Sequence, residues 1–239
     1  MITRALLFCF VFVATVIWRF PYEEAIADRI AALEARTGTQ VDYTPESAGM
    51  SGVEWKDVSI TTRSGIKVRF DQAKLRPTLR GMSAQATQGK GQGRLVMEPN
   101  GDLSLRMDQL KFDSGSKVLG EMTVSGNVTH SFRQRRGEGN LRLVLEHHNI
   151  PLPVEVESFE TGNHLFWQDR GVGYEVNMEV KLTGGADITA DGNLKLEPNP
   201  GGPHRLNGSL NVQTRLGLKG RLIPTGTWKD IQWTMVRDT

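Results

Sequence analysis

The sequence predicts a mainly β fold: an antiparallel meander of about ten to fourteen strands, preceded by one N-terminal transmembrane helix and a short amphipathic helix. Three features of the 239 residues carry this reading. Apolar and polar side chains alternate with period two after Gly52. Glycine-bearing turns fall where two alternating stretches meet. One long apolar run lies at the N-terminus. The division that follows is an anchor over residues 1–21, an amphipathic helix over 22–38 and a β domain over 39–239.

The apolar run is built from Ala5, Leu6, Leu7, Phe8, Phe10, Val11, Phe12, Val13, Val16, Ile17 and Trp18, with Cys9 inside it. Residues 5–18 as helix reach about 21 Å, and residues 2–20 about 28 Å, close to the roughly 30 Å hydrocarbon core. Arg4 and Arg19 can snorkel outward, and Trp18, Phe20 and Tyr22 fall where an aromatic belt belongs. A cleaved signal peptide is the rival reading, because Ala25-Ile26-Ala27 has the small residues of a cleavage site. Bulky and charged residues at 19–24 separate that site from the apolar run, so an uncleaved anchor is expected. Cys9 follows Phe8 in mid-run, which does not fit a lipidated cysteine. As the chain has no other cysteine, no internal disulfide can form.

After Pro21, residues 22–36 read as a helix that Gly38 stops. Ile26, Ile30 and Leu33 share a stripe. The stripe suits either a cap on the following sheet or a partner- or membrane-facing helix. Glu23 and Glu24 favour the helix dipole but make the first turn a poor binder of anionic lipid.

In the β region, register tests the turns. A three-residue turn at Arg63-Ser64-Gly65 sets Ile60 against Val68 and Val58 against Phe70, placing all four on one face. Pro99-Asn100-Gly101 does the same for Met97 with Leu103 and Leu95 with Leu105. Ala190-Asp191-Gly192 would set Ile188 against Leu194 and Ala186 against Leu196. In each, the last loop residue is glycine, as the left-handed position of such a turn prefers. Tyr174, Val176, Met178, Val180 and Leu182 form another one-faced strand, and Leu141, Leu143 and Leu145 resemble it. Residues 206–222 hold one alternation phase throughout, which allows one long strand or a hairpin near Gly217. These apolar positions are the expected core or apolar groove. A closed sandwich or barrel would cover them with each other, whereas a bent open sheet would leave room for an acyl chain or an apolar peptide.

Catalytic and cofactor motifs do not emerge. Adjacent His147 and His148 point to opposite faces of a strand and cannot share a metal; His130, His164 and His204 read as surface or strand-end residues. Gly89-Lys90-Gly91-Gln92-Gly93 lacks the spacing and Lys-Ser/Thr ending of a phosphate loop and reads as a flexible hairpin connection. No Gly-x-Ser-x-Gly elbow occurs. Lys and Arg total 29 against 27 Asp and Glu, and they are scattered, which argues against a nucleic-acid partner. The densest group, Arg133-Gln134-Arg135-Arg136, reads as a solvated hairpin tip. The expectation is a non-enzymatic protein without metal or cofactor.

The apolar run, then Phe20-Pro21-Tyr22-Glu23, a short helix, Gly38 with Val41 and Tyr43, and Gly52-Val53-Glu54-Trp55 opening a β body occur in that order. This order resembles the N component of bacterial type II secretion systems, and the late Gly220-Arg221-Leu222 element continues the likeness. The resemblance implies a single-pass inner-membrane protein with its C-terminal domain in the periplasm. It implies an accessory role in protein secretion beside other components of the apparatus, with no catalytic residues to carry over. The architecture is also similar to AsmA-like periplasmic proteins, which implies lipid handling as the alternative.

Overall fold

The computed structural model describes residues 22–49, 51–63, 65–78, 81–115, 120–146, 158–171, 173–184, 188–199, 204–227 and 230–237. Helix α1 spans Tyr22–Thr37, one residue beyond the expected end. Gly38 closes it with φ 67°, its N–H donating to the Glu34 carbonyl at 2.8 Å. Glu34 Oε1 then accepts the Val41 N–H at 2.6 Å, tying the helix to the first strand. Ile26 and Ile30 are only half-buried. No helix among the described residues is long and apolar enough to cross a membrane, and the expected anchor lies outside them.

Fourteen strands follow among the described residues: β1 Gln40–Gly49, β2 Gly52–Thr61, β3 Lys67–Thr78, β4 Gly81–Gln88, β5 Gly91–Met97, β6 Asp102–Asp113, β7 Glu121–Ser131, β8 Arg136–Leu145, β9 Phe159–Asp169, β10 Tyr174–Gly184, β11 Ile188–Glu197, β12 Arg205–Thr214, β13 Lys219–Thr227 and β14 Asp230–Arg237. Each pairs antiparallel with its neighbour in sequence, giving one sheet in the order β1 to β14. Among the described residues no pairing joins β1 to β14. Its buried apolar side chains gather in two clusters. Leu145, Phe159, Leu182, Ile188, Val212 and Leu222, from six successive strands, share one buried cluster. A second cluster holds Met107, Leu110 and Val124, and Met122 and Leu143 touch both.

Two of the three sequence-derived turns are present as expected. Gly65 and Gly101 have φ of 94° and 88°, and their N–H groups donate to Thr62 O and Glu98 O, both at 2.9 Å. Ile60 faces Val68 and Val58 faces Phe70; Met97 faces Leu103 and Leu95 faces Leu105. The third turn is corrected. Ala190, Asp191 and Gly192 lie inside β11, where Ala190 faces Leu182 on one side and Val212 on the other. The proposed pairing of Ile188 with Leu194 satisfied the apolar pattern locally, but β10 and β12 supply longer matching strands. The same turn geometry occurs instead at Gly217, with φ 81° and its N–H donating to Thr214 O at 3.0 Å. Residues 206–222 are thus a hairpin. The expected strand at His147 and His148 lies outside the described residues.

A crease crosses the first half of the sheet. On β2, Lys56 and Asp57 are both exposed; so are Asp71 and Gln72 on β3, and Asp108 and Gln109 on β6. Inward positions change parity at each pair: Val53 and Trp55 give way to Val58 and Ile60, and Leu105 and Met107 to Leu110 and Phe112. Asp57 and Gln109 hold left-handed φ of 52° and 49°, the mark of a bulge that re-aims a strand. Beyond the crease β3 pairs directly with β6, Lys67 to Asp113 and Val68 to Phe112. The shorter β4–β5 hairpin therefore ends there, and side chains complete the ladder. Gln88 accepts the Lys111 N–H at 2.6 Å and donates to its carbonyl at 3.1 Å, while Gly89 N–H donates to Asp71 Oδ2 at 2.6 Å. Of the glycine stretch at 89–93, Gly89 and Lys90 form the β4–β5 connection and Gly91 to Gly93 open β5. Gly91 is buried, and a Cβ there would meet Gln109 O at 2.3 Å.

Candidate functional site

The turns after β1, β3, β5, β7, β9, β11 and β13 share one end of the sheet, opposite the end where α1 hands over to β1. At that distal end one inward row crosses nine strands. It runs Met82, Met97, Leu103, His130, Gly137, Trp167, Val176, Leu196 and Leu206, each directly opposite the next. With Pro77 opposite Met82, the row reaches β3. Strand alternation puts these residues on one face, and hairpin register aligns them. Three of the sequence-selected residues, Met97, Leu103 and Val176, belong to it.

The row is covered unevenly. Leu206 is 2% exposed, whereas Met82 and Met97 are 36% and 38% exposed and neighbouring Phe132 is 53% exposed. Two thioethers and a phenyl ring thus form a wet apolar lip. His130 is the polar centre. Trp167 Nε1 donates to its Nδ1 at 3.1 Å, which leaves the proton on Nε2, 3.4 Å from the Tyr174 hydroxyl. The imidazole lies parallel to Trp167, with ring centres 6.2 Å apart, and edge-on to Phe132 and Tyr174. Gly137 makes this stack possible, since a Cβ there would come within 2.3 Å of Trp167 Cζ2. The Arg135–Asp169 ion pair and the Asp169 N–H bond to Arg135 O clip the adjoining tips together. The arginine-rich stretch at 133–136 is the β7–β8 tip, as its sequence suggested.

Of the remaining selected residues, Tyr174 joins the distal row through His130, and the others lie along the same apolar face but away from the lip. Val180 and Leu182 are in the larger buried cluster, with Met178 packed on it. Phe70 and Leu105 pack on the smaller cluster. Val58 and Val68 are buried, and Ile60, Leu95 and Tyr174 are half-buried. Sequence reasoning did not select His130, Trp167, Phe132 or Met82. The His130 contacts span 37 residues to Trp167 and 44 to Tyr174, so no short motif contains them. What the row can do chemically is shelter an apolar chain laid across it, because thioethers adapt to irregular shapes and aromatic rings give flat contact area. Among the described residues no three His, Cys, Asp or Glu side chains are placed to hold a metal ion.

The opposite face is polar. His164 Nδ1 lies 2.9 Å from Asn140 Oδ1, in a trough that Glu179 and Lys181 also line. Nearby, Lys195 first and Arg170 second hold the Glu175 carboxyl below the usual carboxylate range. A depressed folded value stabilises the fold at pH above the unfolded value, and that contribution fades as pH falls through the folded one. Glu175→Gln is accordingly expected to lower the thermal midpoint slightly at pH 7. The difference from wild type should shrink as pH falls below the ordinary carboxylate value of about 4.3 and through the lower folded value. Circular-dichroism melts over that range check this, and a gap that persists in acid would count against it.

Comparison with protein-family models, with curated proteins and with solved structures finds no match to this chain.

Proposed function

We propose that the chain is a membrane-tethered, non-enzymatic β scaffold of a bacterial type II secretion apparatus, held at the inner membrane by its N-terminal apolar run, with the β domain in the periplasm. The observation that carries this reading is the sheet itself. Its fourteen strands form a single meander with one apolar face and two unpaired outer strands among the described residues, which offers surface and edge to other proteins. The order of N-terminal elements described above adds the secretion context. Deleting the gene is expected to reduce export of several secreted hydrolases while leaving their synthesis intact. Unchanged export across those substrates would remove the proposal.

The exposed lip of Met82, Met97 and Phe132 favours a second reading, an AsmA-like lipid-binding protein of the envelope. Under it, full-length protein purified in mild detergent would retain phospholipid detectable by native mass spectrometry, and Met97→Asp would release it. Lipid equally present in the variant would reject the lip as its site.

A further inference from the structure

The two edges of the sheet are built differently. β1 carries the devices that discourage strand addition. Its register with β2 breaks twice, between Asp42 and Thr44 and between Pro45 and Ser47. Pro45 has no N–H to give, and exposed Glu46 pairs with Lys56 at 2.5 Å. β14 has none of these. It pairs with β13 over eight consecutive residue pairs, from Thr227 with Asp230 to Gly220 with Arg237, without a bulge. Its interior, Ile231-Gln232-Trp233-Thr234-Met235-Val236, contains no charge, proline or glycine. Among the described residues nothing pairs with its outer side. Val236 is 40% exposed, and the indole N–H of Trp233 is buried with no hydrogen-bond partner among those residues.

We propose that β14 is a dimerisation edge, taking the β14 of a second copy in antiparallel pairing across a two-fold axis. The occupant follows from register. Ile231, Trp233 and Met235 face the apolar side, so an added strand continues that face only if it alternates in phase. β14 is itself such a strand. Registers centred on Trp233 or on Thr234 both set apolar-side positions against each other. The β1 edge of a second copy cannot serve, because its proline and paired bulges interrupt the ladder. The contact is therefore isologous and closes at two subunits instead of running on as a fibre. A ladder of seven or so residues is a small interface, so the dimer dissociates at roughly micromolar concentration. This inference does not depend on the secretion reading.

The test uses the full chain in detergent with Cys9→Ala as background. Thr234→Cys places a thiol at the proposed centre, Ser47→Cys one on β1 and Thr225→Cys one on β13. A bismaleimide spanning about 8 Å reaches opposite and diagonal positions of a strand pair. The expected result is efficient dimer capture at position 234 and little at 47 or 225. Sedimentation of the cysteine-free chain should show a monomer–dimer equilibrium that Gln232→Lys and Thr234→Lys shift at least tenfold toward monomer. Both changed side chains are exposed, so the fold should survive, and unchanged circular dichroism checks that. A chain that stays monomeric up to about 100 µM, well above that midpoint, with no capture at 234, would overturn the proposal. So would capture at 47 equal to that at 234, which means that β1 edges meet as readily as β14 edges, or lysine variants that dimerise as the parent does.

Discussion

Phe159→Ala is expected to lower the free energy of unfolding by about 3–5 kcal/mol. Phe159 opens β9, directly opposite Leu145, and is 0% exposed. It belongs to the cluster containing Leu182, Ile188 and Leu222, whose backbones are fixed by ladders on both sides. Such walls relax poorly, so the deleted ring leaves a cavity as well as losing its transfer free energy. For a protein within the usual stability range of about 5–15 kcal/mol, that is a large fraction of the whole. Urea unfolding followed by far-ultraviolet circular dichroism should show a lower midpoint at an unchanged slope. A loss below about 1 kcal/mol would mean that water already reaches this part of the face.

Gly192 gives the second large effect, and its sign pattern separates two conformations. Gly192 lies mid-strand between Val180 and Leu210, and a Cβ there would approach Ser209 O to 2.2 Å and Leu210 Cα to 3.0 Å. Both are backbone atoms, so relief requires strands β11 and β12 to separate. Gly192→Ala should therefore cost about 1–3 kcal/mol or more, as overpacking does. Gly192→Asn should be no better than alanine. At Gly101, where φ is 88°, the order should reverse, because asparagine tolerates the left-handed region better than alanine. Thermal denaturation of the four single variants decides it. Asparagine outperforming alanine at 192 would restore the turn expected there from sequence.

Those two glycines also mark how far sequence reading reached. The strand class, the helix at Tyr22–Thr37 and the turns at Gly65 and Gly101 were legible because each depends on neighbours a few residues apart. Period-two alternation tells which residues share a face, and glycine in a three-residue loop tells where the chain reverses. Gly192 offered the same local signs, yet its small size serves the approach of another strand, 17 residues away at Ser209. The crease was hidden for a related reason. Paired exposed residues such as Asp71-Gln72 read as ordinary surface until three strands are laid side by side. The distal row was half visible: Met97, Leu103 and Val176 announced themselves by alternation. His130 and Trp167 did not, since their partnership is created by two successive hairpin registers.

The nearest-neighbour order of the strands bears on how the chain reaches this state. Apart from the short β3–β6 contact, every ladder joins segments consecutive in the polypeptide. Most new strands need only a short loop to close before they are rewarded with a partner, 13 residues between β8 and β9 being the longest connection, so contact order stays low for an all-β architecture. Growth can proceed from β1 toward β14 as the chain is delivered, each finished hairpin serving as the template for the next. The last template in this order, β14, keeps its outer amides and carbonyls unpaired among the described residues, which is the row a second copy would take up.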